Sequence, residues 1–130
     1  MSNALWREML AECFGTFILI VFGVGVVAQV VLSKGAAGTA LSINIAWGLA
    51  VTMGCYVCAG VTGAHLNPAV TLGFFAAGRC GLETVPRYIA SQLLGALIAV
   101  PVCRLICPEK CCEPLSSDHD ERDQSESGRM

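Results

Sequence analysis

The residues with the clearest capacity for chemistry form one short polar segment inside an apolar sequence. This segment runs from Gly63 to Ala69 and reads Gly-Ala-His-Leu-Asn-Pro-Ala. The Asn67 side chain carries both N–H donors and a carbonyl acceptor. The backbone carbonyls of Gly63, Ala64 and His65 add further acceptors. No nucleophile–base pair or metal-binding set accompanies these groups. They therefore predict hydrogen bonding to a neutral polar molecule and give no support to an enzyme.

A short helix is predicted directly behind this segment. Asn67 is a residue type favoured at the N-cap, and Pro68 is favoured at the first helical position. The following residues are mostly apolar as far as Ala77, and Gly78 is typical of a helix end. About eleven residues give roughly 16 Å of helix, which is about half the ~30 Å hydrocarbon core of a bilayer. We therefore predict a re-entrant half-helix with its amino end near the bilayer midplane. The alternative is a polar loop followed by an ordinary helix.

Three apolar segments around the half-helix are each long enough to span a membrane. The first is longer than the apolar region of a secretory signal peptide, which is usually about 7–15 residues. The third is the weakest, because Gln92, Pro101 and Arg104 interrupt it. The segments are Leu10–Leu32, Leu41–Gly60 and Ile89–Ile106. The sequence therefore predicts an all-α membrane protein with three transmembrane helices and one re-entrant half-helix.

The composition agrees with a membrane domain followed by a polar tail. The chain is 55% hydrophobic and 14% charged, and its mean hydropathy is +0.65. Seven of its ten acidic residues lie beyond Cys107, whereas a soluble domain of this length would not concentrate its polarity at one end. We expect residues 107–130 to be a disordered acidic tail. The net charge of −2 gives no reason to propose a nucleic acid as a partner.

The segment Gly63–Thr71 resembles the first Asn-Pro-Ala loop of the major intrinsic proteins, the family of aquaporins and glycerol facilitators. Further segments are similar, in the same order, to the family's first helix, to its second helix in the glycerol-conducting branch, and to its third helix. These segments are Ala11–Phe17 with Gly23–Gln29, then Asn44–Val51, then Ser91–Ala96. The resemblance runs from about Leu5 to about Val102. It implies that residues 1–106 are the first half-repeat of an aquaporin-like fold.

The resemblance implies a role for each matching residue. The residues expected to contact the permeating solute are Trp47, Gly63, Ala64, His65, Asn67, Pro68 and Ala69. Among them, Trp47 falls where the glycerol-conducting branch carries an aromatic side chain in its filter, and a flat apolar face suits the hydrocarbon edge of a polyol. Glu12 is expected to accept hydrogen bonds from the loop and so to fix its carbonyls. A carboxylate inside a span is costly and is usually functional.

Each of these roles has a plainer alternative. For Asn67 the alternative is a helix cap alone. For Trp47 it is a place in the aromatic belt at the membrane interface, and for Glu12 it is a position in the headgroup zone. His65 is a poor candidate for a metal ligand, because no second ligand lies at a useful spacing. The spacing of the eight cysteines matches no common zinc pattern, so free thiols are expected, with reversible palmitoylation near Cys107 as the alternative.

By resemblance, the expected function is passive conduction of glycerol, other small neutral solutes and water by a multi-pass protein of the plasma membrane, without a cofactor. Oligomerisation with channel subunits is expected. The family's second Asn-Pro-Ala loop and the arginine after it have no counterpart here, which leads us to expect a truncated or alternatively spliced product. The alternative function is therefore a non-conducting chain that associates with full-length channels or is degraded. The resemblance implies a cytoplasmic amino terminus, but three Lys or Arg residues near each side leave the orientation open on charge alone.

Overall fold

The computed structural model describes residues 3–106 and contains four helices in that range. They are α1 (Asn3–Leu32), α2 (Ala40–Thr62), α3 (Pro68–Ala76) and α4 (Thr84–Ile106). The helix α1 is central, because it packs against α2 and against α4, while α3 packs on α4. By length and composition, α1, α2 and α4 can each cross a membrane. The prediction of three spans and one half-helix is therefore confirmed.

Two helices begin before the apolar segments that were predicted as spans. The first helix begins at Asn3 rather than Leu10, and the fourth begins at Thr84 rather than Ile89. The predictions followed the apolar runs, but a helix continues beyond the hydrocarbon core wherever its residues allow it. In α4 even Pro86 is tolerated, because the first N–H groups of a helix have no intrahelical partner to lose. The predicted tail, with Cys107 and the cysteines after it, lies outside the described residues.

The distribution of polarity is the reverse of that in a water-soluble domain. The largest fully buried side chains include Glu12, Thr71 and Gln92. Large apolar side chains such as Leu97 and Leu105 point outward and are mostly exposed. Water would make such an exterior unfavourable, whereas lipid is as apolar as these side chains. The fold therefore matches a bilayer on its outside and encloses hydrogen-bonding groups.

Glycines allow two pairs of helices, α1 with α2 and α1 with α4, to approach closely. Where α1 crosses α2, a Cβ added to Gly54 would lie 3.0 Å from the carbonyl oxygen of Gly15. Where α1 crosses α4, a Cβ added to Gly95 would collide with the carbonyl oxygen of Cys13. Small residues are typical of such contacts in membranes. At Gly48 of α2, by contrast, an added Cβ would meet nothing within 4 Å.

Candidate functional site

The loop between α2 and α3 has a backbone that ordinary residues seldom adopt. Helix α2 ends where Gly63, at φ +82°, donates its N–H to the Ala59 carbonyl over 3.0 Å. Ala64 and Leu66 also have positive φ values, +58° and +55°. Such conformations cost on the order of 1–3 kcal/mol each for residues with a side chain. Surrounding interactions must therefore hold this loop in place.

The Glu12 carboxylate supplies those interactions from α1. Its Oε1 atom accepts a hydrogen bond from the His65 N–H at 3.0 Å and one from the Thr62 hydroxyl at 2.5 Å. Its Oε2 atom accepts one from the Leu66 N–H at 2.8 Å and one from the Gln92 amide at 2.9 Å. Glu12 is completely buried, and these four donors are neutral. Each oxygen of the Glu12 carboxylate therefore accepts two hydrogen bonds from the loop and the neighbouring helices.

The position of these contacts along α1 sets the depth of the loop. The 30 residues of α1 extend over about 45 Å, and Glu12 lies nine residues, or about 14 Å, beyond Asn3. One turn further along α1, the Thr16 hydroxyl donates a long hydrogen bond of 3.5 Å to the Leu66 carbonyl oxygen. Leu66 is therefore attached to the first half of α1, through its N–H and its carbonyl. This holds the amino end of α3 beside that part of α1.

A second buried group, the Thr71 hydroxyl, joins α3 to the loop and to α4. Its oxygen lies 3.1 Å from the Asn67 carbonyl, to which it donates, and it accepts a hydrogen bond from the Gln92 amide at 3.1 Å. The Nδ1 atom of His65 is also 3.1 Å away. With the hydroxyl proton directed to the Asn67 carbonyl, the contact with His65 requires the Nδ1–H tautomer of the ring.

The His65 ring is enclosed by aromatic side chains. It stacks on Phe74 at 4.6 Å between centroids and meets the edge of Tyr88 at 5.0 Å. The Phe74 ring is also in contact with Arg79, whose guanidinium lies 5.5 Å from the ring centre. His65 is accordingly buried. The ring is fixed inside the protein, so the predicted contact of His65 with solute stays a prediction for its backbone carbonyl only.

The amino end of α3 is exposed, in contrast to His65. Asn67 caps the helix, since its Oδ1 atom accepts a hydrogen bond from the Ala69 N–H at 2.8 Å, and Pro68 occupies the first helical position. Gly63, Asn67 and Ala69 are exposed, while Ala64 and Pro68 are half-buried. Among residues 3–106, no group accepts a hydrogen bond from the Asn67 Nδ2 atom. The exposed residues Gly63, Asn67 and Ala69 form the polar edge of the loop, where the Asn67 Nδ2 donors lie beside exposed backbone.

Trp47 lies at a different level from this loop. Its ring is half-buried and lies on Gly23 of α1, so that a Cβ at Gly23 would be 2.6 Å from ring carbons. Gly23 is eleven residues beyond Glu12, which corresponds to about 16 Å along the helix axis. The structure therefore brings Glu12 and the loop together and leaves Trp47 as a separate feature nearer the opposite end of α1.

Sequence reasoning missed the residues that connect the loop to its neighbours, namely Thr62, Thr71 and Gln92. Gln92 lies in the segment that resembles the family's third helix and interrupts the third span, but the sequence alone assigns it no partner. An amide deep in a span is itself a signal of function or of a polar contact. Its partners follow only from the packing of α4 on α1 and α3, because its Nε2 atom donates to both Glu12 and Thr71.

A family model described as Major intrinsic protein matches residues 1–127. Two relatives show the same likeness over most of this chain. Aquaporin-10 of Milnesium tardigradum is 54% identical over 105 residues, which are 81% of this chain and 26% of that protein. Aquaporin-9 of Homo sapiens is 45% identical over 98 residues, which are 75% of this chain and 33% of that protein.

A solved structure, that of the aquaglyceroporin from Plasmodium falciparum, is similar in fold. The TM-score is 0.72 at 36% identity, and the match covers 77% of this chain and 41% of the other. The chain spans about a quarter of the length of Aquaporin-10 of Milnesium tardigradum and about a third of that of human Aquaporin-9.

Proposed function

Because this chain belongs to the major intrinsic protein family, we propose that it forms one side of a passive pathway for glycerol, other small neutral solutes and water. The names of its relatives, aquaporins and aquaglyceroporins, support water and glycerol as the solutes. Such a pathway needs no catalysis, since the solute crosses with its covalent bonds unchanged. Conduction requires only that polar groups replace the water that the solute leaves behind.

The exposed amino end of α3 is the observation that carries this proposal. Asn67 presents free Nδ2 donors at a depth where water is absent from the surrounding lipid. A hydroxyl oxygen of glycerol can accept from those donors, while its proton can go to a carbonyl of Gly63 or Ala64. Because Glu12 fixes the loop, these groups are pre-arranged and need not reorganise for each passing molecule. The apolar ring of Trp47 suits the hydrocarbon edge of the same solute.

The polar edge also requires a cover. Irregular backbone at membrane depth is stable only inside protein or beside a water-filled cavity. We infer that the cover comes from channel subunits or from a segment equivalent to the remainder of the relatives, so the chain acts as part of an oligomer in the plasma membrane. Association with channel subunits without conduction is the second candidate, and the following measurement separates the two.

We expect vesicles that contain this chain alone to show glycerol and water flux at the background level. One exposed side of a pathway leaves the permeating molecule against lipid, where each unpaired polar group costs several kcal/mol. Vesicles that also contain the part of human Aquaporin-9 outside its matched 98 residues should shrink and re-swell rapidly in a glycerol gradient. Co-purification without flux would favour the second candidate. Rapid flux through the chain alone would contradict the requirement for a cover.

Substitutions at Asn67 separate its capping role from a role in conduction. Asn67→Ser keeps an oxygen that caps the Ala69 N–H but replaces the two Nδ2–H donors with one hydroxyl on a shorter side chain. We therefore expect stability within about 0.5 kcal/mol of the parent and a loss of flux. Asn67→Ala removes both functions and should also cost about 1 kcal/mol of stability. The measurements are flux in the two-part vesicles and unfolding in detergent micelles. Unchanged flux in Asn67→Ser would reduce Asn67 to a helix cap.

A further inference from the structure

The Trp47 indole of α2 packs directly against Gly23 of α1. A Cβ built at Gly23 would lie 2.6 Å from the Cη2 and Cζ3 atoms of Trp47 and 2.7 Å from its Cε3 atom. These three atoms belong to the six-membered part of the indole. That part of the ring therefore occupies the space in which any other residue at position 23 would place its side chain.

The contact is specific to this one glycine of α1. Two residues further along, a Cβ at Gly25 would meet nothing within 4 Å. The same is true of Gly48, the residue next to Trp47 in α2. The absence of a side chain at Gly23 thus has a single local consequence, which is that the indole can lie against the backbone of α1. With a methyl group there, the indole must move away from α1 or the helices must separate.

We propose that Gly23 is a specificity-determining residue that acts by positioning the Trp47 indole. This inference rests on the proposed function, in which Trp47 borders the solute pathway. With glycine at position 23 the ring is withdrawn towards α1, which leaves room for a solute as wide as glycerol. A side chain at position 23 displaces the ring outward and narrows the passage. Water, the smaller solute, is affected less than glycerol.

The position of the ring can be measured on the chain alone, without any flux. The chain contains two tryptophans, Trp6 and Trp47, so a Trp6→Phe background reports on Trp47 only. In lipid vesicles, Gly23→Ala should shift the Trp47 emission and change its quenching by acrylamide and by brominated lipids. Gly25→Ala, the matched control, should leave the emission and both quenching constants as in the parent. Equal spectra for the two variants would overturn the positioning role.

The selectivity is measured in vesicles that also contain the complementary part of human Aquaporin-9. Gly23→Ala should lower the ratio of glycerol to water flux by about tenfold, the effect typical of one carbon atom in a tight apolar site. Gly25→Ala should keep the parent ratio. In the double variant Gly23→Ala, Trp47→Leu the glycerol flux should recover, because the smaller side chain leaves room for the added methyl group.

The outcomes distinguish this inference from the proposed function. If the parent pair conducts and Gly23→Ala keeps its flux ratio, the specificity role of Gly23 is wrong while the pathway stands. If the parent pair does not conduct, both the pathway and the specificity role fail, and the fluorescence result still decides whether Gly23 positions the ring. If Trp47→Leu does not restore flux to Gly23→Ala, separation of the helices rather than ring displacement is the cause, and the inference is overturned.

Discussion

Glu12→Leu is expected to destabilise the chain by about 2–6 kcal/mol, because the buried N–H groups of His65 and Leu66 lose their acceptors at about 1–3 kcal/mol each. The loop contains two non-glycine residues at positive φ, Ala64 and Leu66, which these bonds hold in place. Glu12→Gln keeps one carbonyl oxygen but turns an –NH₂ group towards the remaining donors. We therefore expect roughly half the loss for Glu12→Gln.

Two measurements test this expectation. Denaturant unfolding in detergent micelles gives the stability difference, and hydrogen exchange at the His65 and Leu66 amides shows whether the loop itself opens. The control is Glu8→Gln, one turn earlier in α1. Within residues 3–106 the Glu8 carboxylate has one hydrogen-bond contact, with the Tyr88 hydroxyl at 3.5 Å. That substitution should stay within about 0.5 kcal/mol of the parent. Equal losses for Glu12→Gln and Glu12→Leu would instead indicate a plain headgroup glutamate.

Gly95→Leu is expected to force α1 and α4 apart and to lower the stability of the chain. An added Cβ would collide with the Cys13 carbonyl oxygen, so α1 and α4 must separate to make room for any side chain. Overpacking of a close contact costs typically about 1–3 kcal/mol for a few added carbons, and leucine adds four, so we expect a loss of at least about 3 kcal/mol. Because Gln92 lies one turn earlier in α4, its bonds to Glu12 and Thr71 should weaken as well.

Gly60→Leu is the matched control, since Gly60 is an exposed helix residue whose added Cβ would meet nothing within 4 Å. Leucine is a better helix former than glycine, so this variant should equal the parent or gain up to about 1 kcal/mol. Unfolding in micelles compares the two variants directly. Amide exchange at Leu66 should rise in Gly95→Leu only. Similar stabilities for Gly95→Leu and Gly60→Leu would show that α1 and α4 do not depend on the close approach.

The amino-acid sequence alone determined the elements of this protein. Apolar length predicted three spans, because only a run of about twenty apolar residues matches the bilayer core. The Asn67–Pro68 pair predicted the start of the half-helix, since an N-cap followed by proline is a local signal that depends on no other part of the chain. The end of the same helix is also local. Gly78 takes φ +68° there, and the Arg79 N–H reaches back to the Phe74 carbonyl at 2.8 Å.

Only the tertiary structure decided how those elements form a site. Thr62, Glu12 and Gln92 come from three different helices, and their meeting point depends on how closely α1 packs against α2 and α4. That packing depends on Gly15, Gly54 and Gly95. The contact of Gly54 with Gly15 joins residues 39 apart in the sequence, and the contact of Gly95 with Cys13 joins residues 82 apart. The same holds for Gly23, which no local pattern marks as the support of Trp47. Local signals act over a few residues, whereas hydrogen bonding in a buried site is set by side chains that meet only after the helices have packed.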